Sequence, residues 1–301
     1  MAEGSDDRPW TLLELLNWTT GYFQHAGIEN ARLNAEMLLA KVTGLERIML
    51  YANFDREIAP EQREQYRDMV RRRARRCPLQ YLLGSCEFYG RDFLVTPAVM
   101  VPRQETELVV ETCLKRLPGD GSGSWAADVG TGSGIIAVTL ACERPALHVA
   151  ATDNSADAIQ VARRNAERHG VSDRITFSVG DLCDGLPKRP APGASGFELL
   201  AANPPYIPSE RIEQLQPEVR DYEPRGALDG GPDGLAVIRK LIPQAADVLN
   251  AGGWLVLELG EDQSPRVTEM ISADPSFDAD SIETATDAGG CERVLAVRKG
   301  Q

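Results

Sequence analysis

Asn203-Pro204-Pro205-Tyr206 has the residue types and spacing to hold a planar nitrogen for reaction. An amide or aromatic amine donates its lone pair into a π system. A site that methylates it must therefore grip the NH₂ group with acceptors and aim the nitrogen at the methyl donor. Proline fixes φ and has no N–H, so two in succession stiffen a turn and leave its carbonyls free to accept. Asn203 offers a side-chain oxygen, Pro204 a backbone carbonyl, Pro205 rigidity, and Tyr206 a flat face for the planar group. The same four residues also suit a plain strand-to-loop turn, where Asn and Pro are common. Earlier in the chain stands a glycine-rich turn, Asp128-Val129-Gly130-Thr131-Gly132-Ser133-Gly134. Together the two segments point to methyl transfer onto a planar nitrogen.

The glycine spacing narrows the cofactor. Glycines stand at 130, 132 and 134 with Ile135 following, so the pattern is G-x-G-x-G, not the G-x-G-x-x-G of dinucleotide sites, and no GK[ST] phosphate loop occurs. With no pyrophosphate to cradle, small residues let a compact zwitterion lie against the backbone of Gly130, Thr131, Gly132, Ser133 and Gly134, as the methionine part of S-adenosylmethionine would. Asp153 ends the next strand, placed either to accept both ribose hydroxyls or to cap the following helix. Asp181 and the backbone around Leu182 either contact the adenine amine or serve only a turn.

These residues need a scaffold that brings strand ends together. Residues 10–76 read as helical, with Leu12, Leu15, Leu16 and Phe23, then Leu33, Met37, Leu38 and Leu39, at helical spacing and Gly27 and Gly44 as breaks. Pro78 stops this run, and 88–95 reads as a hairpin around Gly90. From about residue 100 strands and helices alternate. Strands are expected at 125–129, 148–152, 175–179, 197–202, 254–259 and 294–297, with helices at 133–142 and 235–249 among those between. That alternation gives a mainly parallel sheet with helices on both faces, which binds ligands beyond the carboxyl ends of its strands. The expected division is a helical domain at 1–77, a hairpin linker at 78–100 and a catalytic domain at 101–301. Pro187 to Gly196, rich in Pro, Ala and Gly, reads as a locally disordered surface loop.

The chain has 301 residues with net charge −13 and a sequence pI near 4.8, a balance that opposes non-specific attraction to nucleic acid. One segment runs the other way. Residues 63–76 carry seven Arg against Glu64 and Asp68, a net +5 on one helix, either a solvated face or a docking patch for an acidic partner. No apolar run reaches the length needed to span a bilayer, and the first ten residues lack a signal-peptide core, so a cytoplasmic protein is expected. The six cysteines form no C-x-x-C pair and the three histidines lie near none of them, which implies neither zinc nor a disulfide framework.

The chain resembles the class I methyltransferases, and more narrowly the PrmC/HemK family of protein-glutamine methyltransferases. Besides the two segments above, the resemblance rests on Pro78-Leu79-Gln80-Tyr81-Leu82-Leu83-Gly84, Glu87-Phe88-Tyr89-Gly90 and Val101-Pro102-Arg103-Gln104-Glu105-Thr106-Glu107. It continues in Glu218 to Pro224, Ala227-Leu228 and Gly290 to Val294. It implies a Rossmann-like α/β domain with a seven-stranded, mainly parallel sheet, joined to a small N-terminal helical bundle. It also implies S-adenosylmethionine as cofactor and, as partners, peptide chain release factors, whose Gly-Gly-Gln glutamine is the substrate, with no direct nucleic-acid or membrane binding. Asn203 with Pro204 would hold that amide. Gly130 to Gly134, Asp153, Asp181, Leu182 and Asn203 carry over as cofactor contacts; family members often have an aromatic where Leu182 stands. Arg103, Glu105 and Glu107 would form a surface ion-pair network or close over the cofactor. Two rival readings are a nucleic-acid adenine methyltransferase, which would usually need a basic recognition region, and a binding module that keeps the pocket without chemistry.

Overall fold

Local sequence signals start the first helix: Thr11 and Glu14 form a reciprocal capping box, the Thr11 hydroxyl taking the Glu14 N–H and the Glu14 carboxylate taking the Thr11 N–H. The computed structural model describes residues 9–187, 190 and 195–301. The loop expected over 187–196 and the acidic start of the chain therefore lie largely outside the described residues. The chain divides into two compact units, one formed by residues 1–84 with 217–222, the other by 85–216 with 223–301.

The first unit is helical. It contains α1 (Leu12–His25), α2 (Ala31–Thr43), α3 (Arg47–Ala52), α4 (Pro60–Ala74) and α5 (Leu79–Leu83), with α9 (Pro217–Arg220) supplied from far along the chain. Leu12, Leu16 and Phe23 of α1 pack with Ala35, Leu38 and Leu39 of α2 in its fully buried interior, and α4 adds Tyr66 and Val70. The division expected from sequence falls elsewhere. Residues 78–84 belong to this unit, the hairpin belongs to the next, and 217–222 joins the helices because Glu218 accepts from Arg73 at 3.0 Å and Tyr222 donates to the Arg75 carbonyl at 2.7 Å.

The basic helix is thereby split in role. Arg73 is 7% exposed and bonds Asn34 at 2.7 Å, the Cys77 carbonyl and Glu218, and Arg76 also reaches Glu218 and the Ala26 carbonyl. Arg67, Arg71, Arg72 and Arg75 are exposed. The run is neither wholly a solvated face nor wholly a docking patch, because every third or fourth residue of a helix turns inward.

The second unit opens with the hairpin β1 (Ser85–Phe88) and β2 (Arg91–Leu94), followed by α6 (Glu107–Leu114). Then come β3 (Trp125–Val129), α7 (Ile135–Glu143), β4 (His148–Asp153), α8 (Ala156–Arg168), β5 (Ile175–Val179) and β6 (Phe197–Ala202). The chain closes with α10 (Ala236–Val248), β7 (Leu249–Glu258), α11 (Ser264–Ser272), β8 (Phe277–Thr286) and β9 (Glu292–Lys299). The sheet order is β5-β4-β3-β6-β7-β9-β8, parallel through the first five, with β9 antiparallel to both neighbours. This is the expected seven-stranded, mainly parallel sheet. The central strands carry Ala126, Ala127, Ala150, Ala151, Ala201 and Ala202, all buried, and buried two-faced strands read as apolar runs without alternation. β8 escaped the sequence reading because it is an edge strand, buried at Phe277 and mostly exposed beyond it. Among the described residues no helix is long and apolar enough to cross a membrane.

Candidate active site

Strand order reverses at β3, which lies between β4 and β6. The carboxyl ends are level, with Val129 opposite Thr152 on one side and Ala202 on the other. Such a reversal opens a crevice beyond the strand ends. A cavity of about 300 Å³ fills it, at the lower end of the roughly 300–1,000 Å³ of small-molecule sites. Gly130, Thr131, Gly132 and Ser133 line it after β3, Asp153 ends β4, Asp181 and Leu182 follow β5, and Asn203 and Pro205 follow β6. Gly134, Pro204 and Tyr206 are not part of that wall.

The glycine turn is pinned from both sides. Gly130 and Thr131 donate their N–H groups to the Thr152 carbonyl at 2.9 and 2.8 Å. Beneath them the fully buried Asp128 accepts from the Thr131 hydroxyl at 2.6 Å and from the Ala137 N–H at 3.0 Å, and burial pushes its carboxyl up to about 6. Gly134 serves packing: it sits at φ +83°, and a Cβ there would lie 3.1 Å from the Ala162 Cβ, so only glycine lets α7 and α8 approach. The helix consequently begins at Ile135 rather than Ser133.

Asp153 is not a helix cap. The cap of α8 is Ser155, whose hydroxyl accepts from the Ala158 N–H at 3.2 Å. Asp153 takes the Gly132 N–H on one oxygen and the Ser155 N–H on the other, both at 2.9 Å. A carboxylate has about four acceptor positions, so lone pairs remain for hydroxyls of a ligand. Asp181 makes no capping bond with its side chain. Leu182 stands at φ +49°, unfavourable for a branched side chain, and the Thr152 hydroxyl holds its carbonyl at 2.8 Å.

In the second motif the Asn203 Nδ2 donates to the Thr106 Oγ1 at 3.1 Å. Tyr206 turns its hydroxyl to Glu258, donating to Oε1 at 3.3 Å, and burial, followed by that carboxylate, pushes the phenol pKa up. The turn is braced from behind by Gln263, whose Nε2 donates to the Tyr206 carbonyl at 2.9 Å. Gly234 backs the same carbonyl so closely that a Cβ there would come within 2.4 Å of it.

Arg103, Glu105 and Glu107 do not form one surface network. Arg103 pairs at 2.6 Å with Glu223, whose side chain is 2% exposed, Glu107 accepts the Tyr89 N–H at 2.7 Å, and Glu105 is exposed. The sequence reading gave Thr106, Glu258, Gln263 and Gly234 no role. Thr106 had a faint signal in its place within Pro102 to Glu107, and Gly234 in a run of glycines; Glu258 and Gln263 had none, because their partners lie far away in the chain.

Comparison with known proteins agrees with this fold. Residues 14–84 match the family described as PrmC N-terminal domain, and 104–215 match the methyltransferase small domain. A protein of Geobacter sulfurreducens named release factor glutamine methyltransferase is 47% identical over 97% of this chain and 98% of its own length. One of the same name from Rhodopirellula baltica is 40% identical over 99% of this chain and all of its own. Among solved structures, a methyltransferase from Pyrococcus furiosus is similar in fold, with a TM-score of 0.51 at 21% identity over 71% of this chain and 91% of its own.

Proposed function

We propose that this chain, which belongs to the release factor glutamine methyltransferase family, methylates the side-chain amide nitrogen of the glutamine in a release factor's Gly-Gly-Gln motif. The observation that carries the reading is Asn203. Its amide nitrogen is tied to Thr106 while the residue lines the cavity, which leaves the side-chain oxygen to accept from a substrate NH₂. The Pro204 carbonyl, on the same turn though not on the cavity wall, is assigned as the second acceptor for a substrate amide that approaches the turn from the protein partner.

The residues present suit S-adenosylmethionine. Positive-φ glycines at 130 and 132 expose backbone to a compact ligand, Asp153 retains acceptor lone pairs for a ribose, and Asp181 with Leu182 borders the adenine end. When bound, that cofactor supplies a sulfonium methyl group open to in-line displacement by the amide nitrogen. The chain's own part is orientation and exclusion of water. A neutral amide is a poor nucleophile, so acceptors that polarise its NH₂ act most strongly as the nitrogen gains positive charge in the transition state. No strong base is required before attack, because the nitrogen becomes acidic only as the new bond forms.

The helical unit is assigned to docking the protein substrate, through the exposed Arg67, Arg71, Arg72 and Arg75. Release factors act where ribosomes translate, which puts the reaction in the cytoplasm. The test is transfer of labelled methyl from S-adenosylmethionine to release factor, to the same factor with the motif glutamine replaced, to DNA and to ribosomal RNA. Label on the intact factor alone supports the reading, and label on nucleic acid overturns it.

A paired substitution separates binding from capping at the end of β4. Asp153→Ala is expected to weaken S-adenosylmethionine binding by about tenfold or more, the scale of one lost charge-assisted hydrogen bond, whereas Ser155→Ala should cost about 1 kcal/mol of stability and leave affinity unchanged. Calorimetry on both variants decides this; equal affinities for Asp153→Ala and wild type would remove Asp153 from the cofactor site.

A further inference from the structure

Three glycines and one glutamine, from two segments later in the chain, close on the Pro205–Tyr206 end of the second motif. Gly230, Gly234 and Gly260 are all buried. A Cβ at Gly230 would lie 2.8 Å from both the Pro205 carbonyl oxygen and the Tyr206 Cα, and one at Gly234 would lie 2.4 Å from the Tyr206 carbonyl oxygen. Only glycine lets the backbone approach so closely. Gly260 is tight as well, its Cβ position 3.0 Å from the Tyr206 ring and from the Gln263 Oε1. Gln263 fills the space between these segments. Its Oε1 accepts the Gly260 N–H at 2.9 Å, and its Nε2 donates to the Tyr206 carbonyl at 2.9 Å and to the Gly234 carbonyl at 3.3 Å. The backbone N–H settles which end of the amide is the oxygen, and both hydrogens on the nitrogen have an acceptor. Gln263 stands at the cap position of α11 but makes no side-chain cap bond there. Its side chain serves the turn instead.

We propose that Gln263 is a positioning residue for methyl transfer: by tying the Tyr206 carbonyl to Gly260 and Gly234, it sets the orientation in which Asn203 and Pro204 present their acceptors to the substrate amide. The inference rests on the role given to those two residues above. Apart from the Asn203 side-chain bond to Thr106, the turn has few holds of its own. At its start the pairing of β6 with β3 and β7 stops at Ala202, and Pro204 and Pro205 have no N–H with which to bond a neighbour. Beyond Tyr206 the backbone is next held at Ile207, whose N–H goes to the Leu228 carbonyl at 3.0 Å and whose carbonyl takes the Gly230 N–H at 2.9 Å. Two fixed proline φ angles stiffen the turn, so a rotation of the Tyr206 peptide carries back to Pro204 and Asn203. A misplacement of about 1 Å at a reacting group is enough to slow a reaction about 100-fold. The cofactor walls do not share this brace, since the glycine turn is held by Thr152 and by Asp153.

Gln263→Glu provides a readout that a brace serving stability alone would not move. As a carboxylate the introduced group aims acceptors at two carbonyl oxygens, and burial together with those oxygens pushes its pKa up. Protonated, it donates its one O–H to the Tyr206 carbonyl and accepts the Gly260 N–H on its other oxygen, which restores the two shorter bonds. The charged groups flanking these contacts are Glu258, Glu261 and Asp262 about Gly260 and Asp233 beside Gly234, all of which push the same way. The cations are already engaged, Arg266 of α11 by Asp233 at 2.7 Å and Arg293 of β9 by Asp287 at 2.8 Å. The variant should therefore recover as the pH falls.

The test measures kcat of the whole chain at saturating release factor and S-adenosylmethionine, at temperatures below each variant's unfolding midpoint. Gln263→Leu is expected to lower kcat by about 10- to 100-fold, the scale of a displaced reacting group, with cofactor affinity within about twofold of wild type. The kcat of Gln263→Glu, taken as a ratio to wild type at each pH, should rise about tenfold as the introduced carboxyl takes its proton, while the ratio for Gln263→Leu stays flat. A Gln263→Leu enzyme within about twofold of wild-type kcat, a loss of cofactor affinity as large as the loss of kcat, or a Gln263→Glu ratio that does not change with pH overturns the proposal. Should Gln263→Leu fail to fold, the ratio decides alone. One readout needs no turnover. Hydrogen exchange at the Ile207 N–H should be about tenfold or more faster in Gln263→Leu, because the turn before it is released, and unchanged exchange overturns the proposal. A wild-type enzyme that leaves release factor unlabelled sinks the functional reading instead, with the exchange test still in force.

Discussion

Asn203→Ala is expected to lower kcat on release factor by at least about 100-fold, the roughly 2–3 kcal/mol supplied by one preorganised polar group, while S-adenosylmethionine binds within a few-fold of wild type. The asymmetry follows from where the side chain is held. Its nitrogen is engaged by Thr106 at 3.1 Å, so its remaining function is to accept, and in the proposed reaction the acceptor acts on the substrate amide. The glycine turn and Asp153, assigned to the cofactor, are fixed by their own bonds to Thr152 and Ser155 and do not depend on Asn203. The fold should tolerate the change as well, since Asn203 follows a strand whose backbone pairing with β3 stops at Ala202. Single-turnover rates and calorimetry on the same preparation check both halves. A kcat within threefold of wild type would remove Asn203 from catalysis, and a large loss of cofactor affinity would make it mainly a cofactor ligand.

Arg73→Ala should be the most damaging substitution in the basic helix, at about 3 kcal/mol or more, because it strips a near-buried ion pair of one partner and leaves the other uncompensated. Arg73 satisfies Asn34 and Glu218 at once. Glu218 has its carboxyl held below the usual range, against its burial, by its own backbone N–H and by Arg73 and Arg76. Its neighbours on the sequence behave differently. Arg71→Ala and Arg75→Ala, at exposed positions, should change stability by no more than about 0.5 kcal/mol, and with Arg72→Ala should raise KM for whole release factor in a salt-dependent way. Denaturant unfolding followed by circular dichroism, set beside KM at two salt concentrations, separates the roles. If Arg73→Ala unfolds at the wild-type midpoint, the pair with Glu218 contributes nothing to the helical unit. If the exposed set leaves KM unchanged, docking lies elsewhere. A triple replacement that includes Arg73 mixes the two effects and decides neither.

The chain's local order determined a large part of this protein. Four of the strands around the site, β3, β4, β6 and β7, appear as apolar runs because both faces of a central parallel strand are buried, and the chemistry-bearing residues stand at strand ends because the alternation of strand and helix leaves nowhere else for a crevice. The position of the glycine turn, Asp153, Asp181 and Asn203 at strand ends was legible for that reason. At Gly134 the spacing shows a turn, and only the packing of α7 on α8 shows that the missing Cβ makes room for Ala162. The edge strand Phe277–Thr286 gave no pattern because most of its side chains face water.

What tertiary structure alone decided are pairings across long stretches of chain. Arg73 meets Glu218 across 145 residues, Thr106 meets Asn203 across 97, and Tyr206 meets Glu258 across 52. Each joins polar groups that would cost stability if buried alone, so each is fixed by which elements the fold stacks together. Periodicity and turn chemistry record only a residue's near neighbours along the chain; the Asn203 that Thr106 receives or the Glu218 that makes Arg73 a strut stands beside it only after the sheet and helices have packed.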